Sequence, residues 1–192
     1  MNCTSSVGST WRRIKSWLEA NLPQLIDALE PGATLAELDA AEKLLGTILP
    51  RAARDSYLTH SGQKQDTPGL IDGWELLSLS RVVSQWRVWS SLLHGGAFAD
   101  SVAAPEAGIC SVWWSERWIP VTYDGHGNHE CIDMGPSTEG SVGQIIRVWH
   151  DDPRRSVVAN GYEAWLGSFA DGLDAGRYVY SDDYGGLILR ER

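Results

Sequence analysis

The chain has three cysteines, Cys3, Cys110 and Cys131, and no CxxC pair. That excludes a disulfide framework and a four-cysteine zinc site. Basic residues are outnumbered: 16 Lys and Arg against 25 Asp and Glu leave a formal net charge of -9. General affinity for nucleic acid needs cations to neutralise phosphates, so this balance argues against it. No apolar run approaches the ~18 residues that cross a bilayer. The start, MNCTSSVGSTWRR, lacks the basic and apolar blocks of a secretory leader. These absences predict a cytoplasmic protein with no membrane partner. GxGxxG, P-loop, GxSxG and HExxH fingerprints are also missing.

Phenylalanine is scarce, with two residues, while tryptophan occurs ten times. An indole joins a large apolar face to one donor, which suits core filling, interface anchoring or stacking on carbohydrate. Residues 1–10 are small and polar and read as a frayed tail. Residues 11–192 show no linker and no repeat and read as one domain. Trp11, Ile14, Trp17 or Leu18, and Leu22 recur at helical spacing, with Ser9 or Thr10 available as N-cap, and Pro23 opens a short helix. Thr34 and Glu37 form a TxxE capping box for a helix with the stripe Leu35, Leu38, Ala41 and Leu45, stopped by Gly46. Pro50 begins another helix. Ser80 caps a further one, carrying Val82, Val83, Trp86, Trp89 and Leu93 and ended by Gly95-Gly96.

Strands are expected at 74–79, 112–114, 118–123, 129–134 and 144–149, with Asp124-Gly125 and Gly127-Asn128 turning a hairpin. Tyr162, Trp165, Leu166, Phe169 and Leu173 define a last helix, and the tail can return a strand or two around an acidic turn. Helices, then a meander, then a helix give an α+β fold with a mainly antiparallel sheet.

The order and spacing of several short motifs carry a family resemblance. They are Trp118-Ile119-Pro120, Asp124-Gly125, Gly127-Asn128, Ile132-Asp133, Pro136, Gly140 and Gly143-Gln144, echoed by His150-Asp151 and Trp165-Leu166. Together they resemble the SUKH superfamily, which includes Smi/Knr-type cell-wall-assembly regulators and bacterial toxin-immunity proteins. The resemblance implies a SUKH-like fold, with a twisted sheet carrying N-terminal helices and a C-terminal helix. Trp118, Pro120, Gly127, Asp133, Pro136, Gly143 and Trp165 read as its fold motif. Pro120 suits an edge or a bulge, and Gly125, Gly127, Gly140 and Gly143 suit positive φ.

The resemblance also implies a binding protein, neither an enzyme nor a cofactor carrier. The reading preferred at this level is an immunity protein that neutralises a cognate, possibly basic, toxin such as a nuclease, as a monomer or homodimer. The alternative is a regulatory scaffold in cell-wall or glucan synthesis, whose chain would carry long disordered arms that this one lacks. A carbohydrate-binding role rests on tryptophan content alone. Contact candidates are Gln63 and Asp66 in the 62–73 loop, Phe98, Asp100 and Glu106 in the 94–108 loop, and Trp114 and Glu116. Asp124, His126, His129 and Glu130 at the hairpin and Asp182, Asp183 and Tyr184 in the tail complete the set. His126, His129 and Cys131 lie close together, but a closed metal site needs a fourth ligand, so no metal is expected.

Overall fold

The computed structural model describes residues 6–190. Four helices lead: α1 (Ser6–Asn21), α2 (Pro23–Ala28), α3 (Leu35–Leu45) and α4 (Arg51–Thr59). They are followed by β1 (Glu75–Leu76), α5 (Leu79–His94), β2 (Ala104–Pro105), β3 (Trp118–Pro120), β4 (Thr122–Tyr123), β5 (His129–Asp133), β6 (Gln144–Val148) and β7 (Arg154–Ala159). Then come α6 (Tyr162–Asp174) and the hairpin of β8 (Tyr178–Ser181) and β9 (Gly186–Leu189). The architecture is α+β. Of the tail expected over residues 1–10, residues 1–5 lie outside the described residues. Residues 6–10 are the first turns of α1, with Val7 and Thr10 buried.

Local chemistry explains the helix boundaries. The Thr34 hydroxyl accepts from the Glu37 amide at 3.2 Å, and the Glu37 carboxylate accepts from the Thr34 amide at 2.7 Å. Gly46 takes a left-handed φ of 67°, where an L side chain would be strained, and ends α3. α5 begins one residue before Ser80, and its cap position is Ser78.

The main sheet runs β2-β7-β6-β5-β3, antiparallel except for the parallel β2–β7 pair. Every residue of β3 and β5 is buried, so the sheet is covered on both faces. Neighbouring side chains divide accordingly. Ile119, Ile132 and Ile145 join a large core with α1, α4 and α6. Trp118, Cys131 and Ile146 join a smaller tryptophan-rich core with Trp89 of α5 and Trp114. Pro120 ends β3, the edge strand, where a missing amide costs no ladder bond.

Two strand expectations are corrected. Residues 112–114 form no strand: 112 and 113 are bends and 114 is irregular, with both indoles turned to side-chain partners. Trp114 stacks on Trp89 at 4.7 Å and Trp113 lies under the Arg155 guanidinium at 4.8 Å. The expected strand at 118–123 breaks at Val121. Beyond it the chain leaves the main sheet, and β4 pairs with β1.

Glycine 140 is not in the left-handed region. Its role is spatial: a Cβ there would fall 2.1 Å from the Gly108 carbonyl oxygen and 2.7 Å from Pro136. Asp133, fully buried, accepts from the Gly135 amide and the Gln144 side-chain amide, at 2.9 and 3.0 Å. The first bond shapes the turn after β5, and the second ties the end of β5 to the start of β6. The 63–74 loop is held by the C-terminal hairpin. Gly69 donates to the Gly185 carbonyl, Leu187 to Gly69, and Gly73 to Leu187, at 2.9, 2.9 and 2.6 Å.

Candidate interaction surface

The sequence-nominated contact residues do not form one site. Four of them are inside the protein. Gln63 spans its own loop: its amide nitrogen donates to Thr67 and the Pro68 carbonyl, and its oxygen accepts from the Leu70 and Leu76 amides. Trp114 is buried against Trp89. His129 is fully buried, hydrogen-bonded through Nδ1 to the Thr122 carbonyl at 2.7 Å, and burial pulls its pKa down to about 4. Glu130 is buried too. Polar composition marks Gln63, His129 and Glu130 as surface, yet each is buried on internal partners, local for Gln63 and His129 and 17 and 35 positions away for Glu130.

The others are spread out. Phe98 is half-buried between Trp89 and Trp113, at 5.5 and 6.5 Å. Asp100 is exposed, the Glu106 carboxylate accepts from the Val157 amide, and Glu116 stands 3.6 Å from His94. Asp124 organises its own turn by accepting from the His126 and Asn128 amides, leaving His126 exposed. Asp66 is exposed with φ at 60°. Asp182, Asp183 and Tyr184 are exposed on the turn between β8 and β9.

Glu130 anchors an internal polar network that no local motif announces. One oxygen accepts from Arg147 at 2.5 Å and the other from the Trp165 indole at 2.8 Å. Arg147 also reaches Asp72 at 3.5 Å, and Tyr178 donates to Asp72 at 2.8 Å. Burial raises the Glu130 pKa, and the Arg147 charge opposes that rise. The Arg147 guanidinium lies over the Trp74 and Trp149 rings, at 5.1 and 5.9 Å. Both Glu130 oxygens are engaged, so this arrangement reads as a brace between β5, β6, α6 and the 63–74 loop. Among the described residues, no group of three or more His, Cys, Asp or Glu is placed to hold a metal ion. No helix of the described residues is long and apolar enough to cross a membrane.

Exposed apolar side chains gather elsewhere, on α3 and α5. Leu35 was expected in the α3 stripe but is 61% exposed, because the capping box starts the helix with this position turned outward. Leu44 is 49% exposed, Val88 51% and Leu92 43%. A depression of about 410 Å³ separates Ala40 and Leu44 of α3 from Leu79 and Val83 of α5. It continues along α5 as a second, of about 530 Å³, past Val88 to Leu92. On the other side of Leu44 a third, of about 340 Å³, reaches Trp86, Arg117 and Met134. Exposed leucines and valines beside these depressions, interleaved with Ser80, Ser84, Arg87 and Ser91, make this face a candidate interaction site. The signal was present in sequence as Val88 and Leu92, four apart and off the core stripe of their helix.

The order of elements, the braced segment from Trp118 to Gln144 and the two-faced sheet can be set beside known families. The family model described as SMI1 / KNR4 family (SUKH-1) matches residues 32–168. The chain belongs to this family. Three fungal relatives align with nearly the whole of it. A glucan synthesis regulatory protein of Neurospora crassa is 28% identical over 96% of this chain and 42% of its own length. The fission-yeast cell wall biosynthesis/cell cycle regulator smi1 (Schizosaccharomyces pombe) is 29% identical over 95% and 39%. The Saccharomyces cerevisiae cell wall assembly regulator SMI1 is 27% identical over 95% and 45%. This SMI1/KNR4-family chain thus spans about two fifths of the length of the curated relatives it matches.

These relatives overturn the toxin-immunity reading. They are named as regulators of cell-wall or glucan synthesis, so the expected toxin partner and the role in competition between bacteria are withdrawn. The SUKH-like motifs and the acidic charge do not separate the two branches of the family, and the relatives that align do.

Proposed function

We propose that this chain acts as the binding core of a cell-wall or glucan-synthesis regulator, without catalytic turnover, through the exposed α3–α5 face. The observation that carries the reading is the alignment of nearly the whole chain with regulators of that name. The α3–α5 face supports it, because its apolar side chains are exposed while both Glu130 oxygens are already engaged. Residues 11–192 are taken as one folding unit, since α1 packs into the same core as α6.

The test is a chimera in which this chain replaces the matching region of the Saccharomyces cerevisiae regulator. The expected outcome is restored growth on a cell-wall-damaging medium in a strain lacking that regulator. A chimera with both Leu44→Asp and Val88→Asp is expected to accumulate normally and fail to restore growth. A parent chimera that accumulates at the normal level and restores nothing sinks the regulatory reading. Restoration by the double variant sinks the choice of surface.

A further inference from the structure

A strand edge without a neighbour presents amides and carbonyls that another chain can pair with, and proteins blunt such edges. Most edges here are blunted. β3 ends at Pro120, and β2 holds two residues, one of them Pro105. β1 and β4 are two residues each. On β7, past its pairing with β2, the Val157 amide donates to the Glu106 carboxylate at 2.8 Å. Val158 is an extra residue at that point, since Ile145 faces Ala159 while Ile146 faces Val157; such a bulge ends regular pairing. The outer edge of β9 is covered by the bonds of Leu187 to Gly69 and Gly73.

β8 has none of these devices. Its residues Tyr178-Val179-Tyr180-Ser181 are β-prone and include no proline, glycine or lysine. Its register with β9 is unbroken. Arg190 donates to the Arg177 carbonyl across the hairpin. Alternation from that bond turns the amides and carbonyls of Tyr178 and Tyr180 away from β9. Among the described residues, no other backbone group bonds to them. Tyr178 and Leu187 are buried on the inner face of the hairpin, whereas Val179, on the outer face, is 38% exposed.

The strand is complementary to itself when reversed. Arg177 stands before it and Asp182-Asp183 after it, all three exposed. None of them has an ion-pair partner among the described residues, and Asp171 and Asp174 at the end of α6 are taken by Arg13. Laid antiparallel on a second copy, β8 sets Tyr178 opposite the copy's Tyr180, the converse, and Val179 opposite Val179. That register uses every outward amide and carbonyl of the two tyrosines and closes a two-fold contact. It also brings the basic start of each strand beside the acidic turn of the other, with Arg177 on the diagonal to Asp183. A parallel arrangement would set like charges side by side.

We infer that two copies of this chain pair through the outer edge of β8, joining their hairpins into one four-stranded antiparallel sheet. The contact is made by the hairpin and is independent of the α3–α5 face.

Sedimentation equilibrium of the full chain over a concentration series is the test. A monomer–dimer equilibrium is expected, with a Kd of roughly tens of micromolar, because so short an edge makes a small interface. Val179→Lys and Val179→Glu each set like charges face to face across the two-fold and should weaken the dimer by about tenfold or more. An equal mixture of the two variants should pair at least as tightly as the wild type. Val179 is exposed, and circular dichroism checks that both variants fold. Arg177→Glu should weaken the dimer, and Asp183→Lys added to the same chain should restore it. A wild-type chain that stays monomeric at roughly ten times the expected Kd overturns the inference and leaves the edge to a strand of another protein. So does a dimer that both Val179 variants leave intact, or a mixture that pairs no better than its components. A dimer dissolved by Leu44→Asp and indifferent to Val179→Lys also overturns it, and assigns the contact to the α3–α5 face.

Discussion

The segment from β3 to β6 and the face of α3 and α5 treat their side chains in opposite ways. In the first, polar groups that look suited to solvent or chemistry are turned inward and paired: Glu130 with Arg147 and Trp165, Asp133 with Gln144, and His129 with the Thr122 carbonyl. In the second, apolar groups that look suited to the core are turned outward. The β3–β6 segment carries the motifs by which the chain resembles its family, and its strands β3 and β5 are buried throughout. A family signature can therefore be scaffold, while the working surface carries a weak local pattern.

Substitutions can break or sharpen this contrast. Trp118→Ala should cost the most, about 4 kcal/mol of unfolding free energy, as expected for a fully buried indole; urea denaturation measures it. A loss comparable with that of an exposed residue would remove the claim that β3 is scaffold. His129 tests the same region through pH. The folded protein holds its imidazole neutral, with a pKa of about 4, whereas the unfolded chain takes up a proton below about 6.5. This contribution to stability is therefore whole above pH 6.5 and is lost as pH falls towards 4, by about 3 kcal/mol. The buried Glu130, whose pKa is raised, contributes in the opposite direction, so the informative quantity is the difference between wild type and His129→Gln. Parallel stability–pH curves for the two proteins would show that His129 is not held neutral. Thr34→Ala, which opens the capping box, should cost about 1 kcal/mol. Leu44→Asp should change stability by less than about 0.5 kcal/mol, while removing the chimera's function together with Val88→Asp. A large loss of stability there would return Leu44 to the core and erase the contrast.

Much of the fold was legible because local chemistry and pattern agreed. The TxxE box, the stops at Gly46 and Gly95-Gly96, the hairpin at Asp124 and the last amphipathic helix all stand where spacing places them. β7 was not read because it opens with Arg154-Arg155. The buried Arg155 is tolerated because its guanidinium donates to the carbonyls of Asp152, Arg154 and Trp113. Residues 112–114 misled for the converse reason: aromatic content imitates β-propensity, and only the position of Trp89 explains why the backbone bends there. The candidate surface was harder. Gln63 and Glu130 are polar residues whose partners lie up to 35 positions away, and Leu35 shares helical spacing with truly buried neighbours. Spacing alone cannot tell an outward leucine from an inward one at the first turn of a helix.

The bonds between Gly69, Gly73 and the β8–β9 hairpin bear on how the chain can be shortened. The family match ends at residue 168, yet α6 runs on to Asp174 and the core takes in Phe169, Leu173, Tyr178 and Leu187 beyond that point. A cut at the match boundary would pass through a helix and strip these side chains and Ala170, five in all, from the interior. It would also remove the hairpin's three bonds to Gly69 and Gly73, which add to the bonds that Gln63 makes within the 63–74 segment. The smallest autonomous unit is set by that clasp and extends past the last residue that the family pattern describes.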